Sequence, residues 1–221
     1  MGTGSPPQDP VQPSPTGGTP LATVAGCRFW ADHLEAEGRY LRYADVTTIT
    51  SQWDTSSVSY GAIRKNFGFS GMVTIASTET SVALGFKDEL GDRHAGRKAF
   101  DETCRALVQY AGPAYIARRA REIQTGSPYT LEYGIGRNYL KFEADGIRWR
   151  TGLVRPERFI PGSEVISVTL KKVSGTAMPM FQPVIIVTGQ QAKSPKLLPP
   201  DDFFWTLCLP DLAVQLFSTK S

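Results

Sequence analysis

The sequence predicts an α+β fold in which antiparallel strands are followed by a helix, twice over. Three observations lead there. Only Gly96 to Gln124 carries apolar residues at sustained helical spacing; the runs on both sides of it are short, β-patterned and separated by turn residues. The chain then closes on a second apolar stretch, Phe203 to Phe217, behind Asp201 and Asp202.

In the long segment Phe100, Cys104, Leu107, Val108 and Ala111 share one face, and Asp101, Glu102, Arg105 and Gln109 the other. Gly112 and Pro113 break the run, and Pro113 suits the first turn of a second helix, Ala114 to Gln124, that bears Arg118, Arg119 and Arg121. Before it, Arg28 to Ala36, Tyr40 to Tyr43, Val46 to Trp53, Val58 to Ile63, Gly71 to Ala76 and Ser81 to Phe86 read as strands, with Glu37-Gly38 a turn. After it come Tyr129 to Tyr133, Tyr139 to Ala144, Gly146 to Thr151, Val165 to Lys171 and Pro183 to Thr188. Asp145-Gly146 is a hairpin signal, because its residues tolerate positive φ. Asp201 and Asp202 cap the closing stretch, which is helical, or partly helical with a fresh start at Pro210.

Met1 to about Ala25 holds six prolines among Gly, Ser, Thr and Gln and little to bury, so it is expected to be a disordered tail. Residues 26–125 form a first unit with its helical linker, and residues 126–221 a second. The chain of 221 residues has the apolar fraction of a soluble globular protein, and its formal charge of +3 lacks the strong basic bias of a nucleic-acid binder. Neither a signal peptide nor a membrane-spanning run is present, so a cytoplasmic protein is expected.

The chemistry-bearing residues are sparse. Cys27, Cys104 and Cys208 lie far apart and read as reduced, structural thiols; with only His33 and His94 beside them no metal-ligand spacing results. Asp32, His33, Glu35 and Glu37 gather acid and base, but one strand cannot supply convergent geometry, and an exposed strand face is expected. Gly134 to Asn138 lies between two strands without the helix a phosphate loop needs, and reads as a hairpin turn. No catalytic residue, metal or cofactor is therefore expected. Arg118, Arg119 and Arg121 with Lys141, Arg148 and Arg150 could form a basic surface, and Phe67, Phe69 and Trp149, among other aromatics, could anchor a partner.

Laid over each other, Ala31-Asp32-His33-Leu34 with Arg39 to Ile49 matches Ala144-Asp145-Gly146-Ile147 with Arg158 to Val168. Tyr133-Gly134, Tyr139-Leu140, Asp145-Gly146-Ile147, Phe159-Ile160-Pro161 and Glu164-Val165 resemble bacterial proteins with pleckstrin-homology-like domains. The resemblance runs from Gly26 to the carboxyl terminus, with a leading strand missing from the first copy. It implies two strongly bent antiparallel sheet units, each capped by a C-terminal helix, and no catalysis. The expected function is recognition of a cognate protein, as in adaptors or toxin-neutralising immunity proteins. The alternatives are a peripheral binder of anionic lipid and an enzyme of unfamiliar type.

Overall fold

The computed structural model describes residues 18–60, 63–88, 94–133, 138–152, 155–173, 180–188 and 202–218. Most of the proline-rich tail, the Gly134 to Arg137 turn and parts of the loops 87–97, 173–179 and 189–200 lie outside the described residues, as do the side chains of Tyr60 and Phe67.

The fold is mixed α+β, with antiparallel sheets and three helices. Strands β1 (Ala22–Val24), β2 (Cys27–Phe29), β3 (His33–Ala36) and β4 (Arg39–Arg42) form a four-stranded meander, and β5 (Val46–Tyr60), β6 (Ile63–Ser77) and β7 (Ser81–Lys87) a three-stranded sheet. Helices α1 (Ala95–Tyr110) and α2 (Gly112–Gln124) follow. A second meander comprises β8 (Tyr129–Tyr133), β9 (Asn138–Glu143), β10 (Gly146–Arg150) and β11 (Arg158–Pro161); the hairpin β12 (Val165–Val173) with β13 (Met180–Val187) and helix α3 (Phe203–Phe217) complete the chain.

The same pairings recur in both halves. Leu34 faces Leu41 and Glu35 faces Tyr40 across β3 and β4, as Ile147 faces Ile160 and Arg148 faces Phe159 across β10 and β11. Tyr43 N donates to Asp32 O at 2.9 Å, and Gly162 N to Asp145 O at 2.7 Å. The register shifts after Val46 in β5 and after Val165 in β12, a one-residue irregularity at the start of each hairpin. Matching positions are buried in both halves, among them Phe29 and Phe142, Leu34 and Ile147, and Ile49 and Val168.

Three expectations need correction. Arg28 to Ala36 is two strands around an Ala31-Asp32 turn, closed by Trp30 N donating to His33 O. The first half does have a leading strand: Ala22 to Val24, placed in the tail by composition, pairs with β2. Ser56 to Phe69 holds no separate short strand, since it is the distal part of the 15-residue β5 and β6 hairpin.

Helices α1 and α2 each bury one face, with Phe100, Cys104 and Leu107 fully enclosed on α1. Helix α3 buries residues around nearly its whole circumference, because β12 packs on it from one side and α1, α2 and β5 from the other. It runs unbroken through Pro210. Its first turn is locked to the first half: Ser51 Oγ on β5 donates to Asp202 Oδ1 at 2.8 Å and accepts from Phe204 N at 2.6 Å, while Trp205 N donates to Asp202 at 3.1 Å. Phe100 of α1 meets Phe203 of α3 at a centroid distance of 5.8 Å.

Two predictions follow from this packing. Leu107→Asp places an unpaired carboxylate at a fully buried position, so the unfolding free energy from urea titration should fall by several kcal/mol and the midpoint with it; an unchanged midpoint would mean that the face is solvated. Burial pushes the Asp202 carboxyl up to about 6 from its ordinary 3.8, and among the described residues it acts on Ser51, Cys104, Tyr129 and Cys208. The folded state then holds this proton more tightly than the unfolded chain, so the term favours folding at low pH and is lost as pH rises from about 4 through 6. Asn at this position keeps the oxygen acceptor without the charge; Asp202→Asn should therefore gain stability relative to the parent, by about 2 to 3 kcal/mol, between pH 4 and pH 8 in chemical denaturation.

Candidate functional site: a cleft beside an edge strand

A cleft of about 680 Å³ opens where four separate segments meet: the Ala25-Gly26 turn, Glu37, the end of β7 from Leu84 to Lys87, and Ala95, Gly96 and Ala99 of α1. Each segment is held there by local physics. Ala25 and Gly26 have φ of 47° and 81°, and Glu37 and Gly38 have φ of 52° and 73°, the left-handed pairs that let two-residue turns close β1 on β2 and β3 on β4. Asp88, directly after β7, accepts from Arg97 N at 3.2 Å, and its other oxygen lies 3.8 Å from the Arg97 guanidinium. That carboxylate caps α1 and ties its start to the end of β7.

Gly96 makes the approach possible. A Cβ at Gly96 would stand 2.1 Å from the Lys87 carbonyl carbon, whereas one at Gly85 would meet nothing within 4 Å. The walls are consequently small residues, the floor is Leu84 and Phe86, and the rim carries the exposed Glu37 and Lys87. Sequence reasoning missed this cleft, because its lining comes from segments up to 74 positions apart, Ala25 to Ala99, and holds no motif.

The anticipated site residues are dispersed. Phe69 and Trp149 are core, exposed by 3% and 4%, as is Trp205. Phe69 packs edge-on to Phe100 at 5.5 Å, with the Arg97 guanidinium over its ring. Phe67 lies on β6 with its side chain outside the described residues. On α2, Arg118 and Arg119 both reach Glu122, at 3.8 and 2.5 Å, and lie over the Tyr115 ring; Arg121 is exposed. On the second meander Arg148 pairs with Glu143 at 2.9 Å and Glu157 at 2.8 Å, and Lys141 pairs with Glu143 at 2.6 Å. Glu157 also accepts from Tyr139, and Arg150 Nε donates to Gly152 O at 3.2 Å. These pairings offset the two clusters in part: Glu122 is shared by Arg118 and Arg119, and Glu143 and Glu157 lie against Lys141 and Arg148.

His33 and Glu35 of the acid-base cluster do not lie on an exposed strand face, a further correction, whereas Asp32 and Glu37 are exposed. His33 and Glu35 are buried, exposed by 1% and 7%. The His33 ring stacks on Trp30 at 5.4 Å and lies 4.3 Å from Tyr40, and the Glu35 carboxylate pairs with Arg28 at 3.1 Å. His33 Nδ1 contacts Asp32 Oδ1 at 2.7 Å, and that hydrogen bond holds the exposed Asp32 carboxyl below its usual range. All three thiols are buried. Burial pushes Cys27 up to about 11, with Glu37 adding to it, and raises Cys104 and Cys208 further, which suppresses the nucleophilic thiolate. Among the described residues no three His, Cys, Asp or Glu side chains come together as a metal site, and no helix is long and apolar enough to cross a membrane.

No protein-family model matches this chain, and no curated protein matches it.

The contrast between two glycines tests the cleft's construction. Gly96→Ala must push α1 away from Lys87 and should cost about 1 to 3 kcal/mol in urea denaturation, while Gly85→Ala, pointing into open space, should cost none. Equal effects of the two would contradict the close approach.

Proposed function

We propose that this chain is a non-catalytic recognition module that binds a cognate protein, the working mode of adaptors and toxin-neutralising immunity proteins, and that it comprises two pleckstrin-homology-like units. Support for the two units comes from the shared register of the meanders and the matched irregularities after Val46 and Val165.

The observation that carries the functional reading is the disposition of reactive groups. The thiols are buried with raised pKa, and His33 is sealed between aromatic rings, while an apolar-floored cleft stays open to solvent. Chemistry on a substrate needs an accessible, activated group, whereas recognition needs an accessible surface. The carboxylates of Glu143 and Glu157 on Arg148, and the Glu122 carboxylate shared by Arg118 and Arg119, reduce what these cations can give to a phosphate, which favours a protein over a lipid headgroup.

Affinity capture with the full chain, identification of the captured protein by mass and titration of the purified pair should give a stoichiometric complex. Generic hydrolase and nucleotide substrates should not turn over; turnover that disappears in folded His33→Ala would overturn the proposal. Reversing Arg118, Arg119 and Arg121 to Glu should leave association with anionic vesicles as weak as in the parent, and loss of strong, salt-sensitive vesicle binding would transfer the function to membranes.

A further inference from the structure

The cleft borders a row of backbone groups that the sheet leaves unused. In an antiparallel ladder, hydrogen-bonded and non-hydrogen-bonded pairs alternate. Ser77 N donates to Thr80 O at 2.8 Å, and Asp88 N to Phe69 O at 3.2 Å, which fixes that alternation at both ends of the β6 and β7 pairing. Val82, Leu84 and Phe86 therefore spend their backbone groups on Ile75, Val73 and Gly71. Ser81, Ala83, Gly85 and Lys87 turn theirs to the other side, where β7 is the last strand of its sheet.

The ends of this free edge are occupied. Arg39 Nη1 donates to Ser81 O, and Gly96 of α1 presses on the Lys87 carbonyl. Between them, the N–H and C=O of Ala83 and Gly85 and the N–H of Lys87 have no partner among the described residues, and neither a proline nor a bulge blunts the strand. Space beside this strand is given by the cleft, whose lining joins Leu84 to Lys87 of β7 to Ala25, Gly26, Ala95 and Ala99.

We infer that the edge of β7 from Ala83 to Lys87 is a docking site for an extended segment of a partner protein, which adds to the sheet as a further strand. The inference rests on the protein-recognition reading and names its mode. Backbone hydrogen bonds to Ala83, Gly85 and Lys87 set the register, and every second side chain of the guest enters the cleft over Leu84 and Phe86. The small walls admit apolar side chains at those alternate positions, and the brackets at Ser81 and Lys87 limit the paired stretch to a few residues.

The test uses the full chain and a displayed library of random twelve-residue peptides. Selected peptides should alternate apolar and polar residues and slow amide hydrogen exchange at Ala83, Gly85 and Lys87 at least tenfold. Gly85→Pro removes one free donor without touching the ladder to β6, so it should weaken these peptides at least tenfold with the melting temperature kept; Gly85→Ala, which retains the N–H, should bind like the parent. Peptides that bind Gly85→Pro undiminished, or a library that yields no binder, would overturn strand addition, while a captured protein that binds both variants equally would leave recognition standing without it. Concentration-dependent protection of the three amides with no peptide present would assign the edge to a second copy of the chain and overturn the partner proposed here.

Discussion

One buried junction holds the two halves together: the hydroxyl of Ser51 on β5, wedged between the Asp202 carboxylate and the Phe204 amide at the first turn of α3. A helix start exposes amide donors that need acceptors, and α3 finds one of its own in Asp202 and one in the other half of the chain. The largely apolar sequence from Phe203 to Phe217 is then explained, since a helix packed by β12, α1, α2 and β5 keeps only a narrow exposed stripe at Asp211 and Val214. The junction is costly in charge, because burial raises the Asp202 carboxyl. Its geometry nevertheless satisfies every group it brings together, which an apolar residue at either position could not do.

Fixing α3 against the first half also fixes α1, whose Phe100 touches Phe203, Phe69 and Phe86. The start of α1 is in turn pinned to β7 by Asp88 and by the approach of Gly96 to Lys87. The cleft is thus positioned by the same contacts that seal the core, and its walls are rigid elements. The three thiols and the His33 imidazole are enclosed, Arg118, Arg119 and Arg148 lie against carboxylates, and His94 is exposed at the start of α1. The cleft itself offers backbone and small apolar surface, which is what the proposed protein recognition would use.

Much of the fold was legible because single residues dictate local geometry. The spacing of Phe100, Cys104 and Leu107 marks α1, Gly112-Pro113 the break before α2, Glu37-Gly38 a turn, and Asp202 the start of α3; the hairpin expected on Asp145-Gly146 turns instead on Ala144-Asp145, with Gly146 already in β10 and no positive φ. Failures arose where tertiary pairing decides. The middle of the β5 and β6 hairpin is rich in Ser, Thr and Asn with weak alternation, and its partner strand alone makes it a strand. Ala22 to Val24 pairs despite a proline-rich approach, and β3 buries His33 and Glu35 because aromatic rings and Arg28 cover them. The candidate site was illegible for the same reason: pairing of Arg148 with Glu157, or of a cleft wall at Ala25 with Ala99, depends on how distant segments pack.

The central claim is that α3 belongs to both halves and makes them a single cooperative structure, and differential scanning calorimetry of the full chain tests it most directly. The account predicts one transition whose calorimetric and van't Hoff enthalpies agree, and which stays single when Ser51→Ala lowers its midpoint. Two separable transitions in the parent chain, with Ser51→Ala shifting neither, would contradict it.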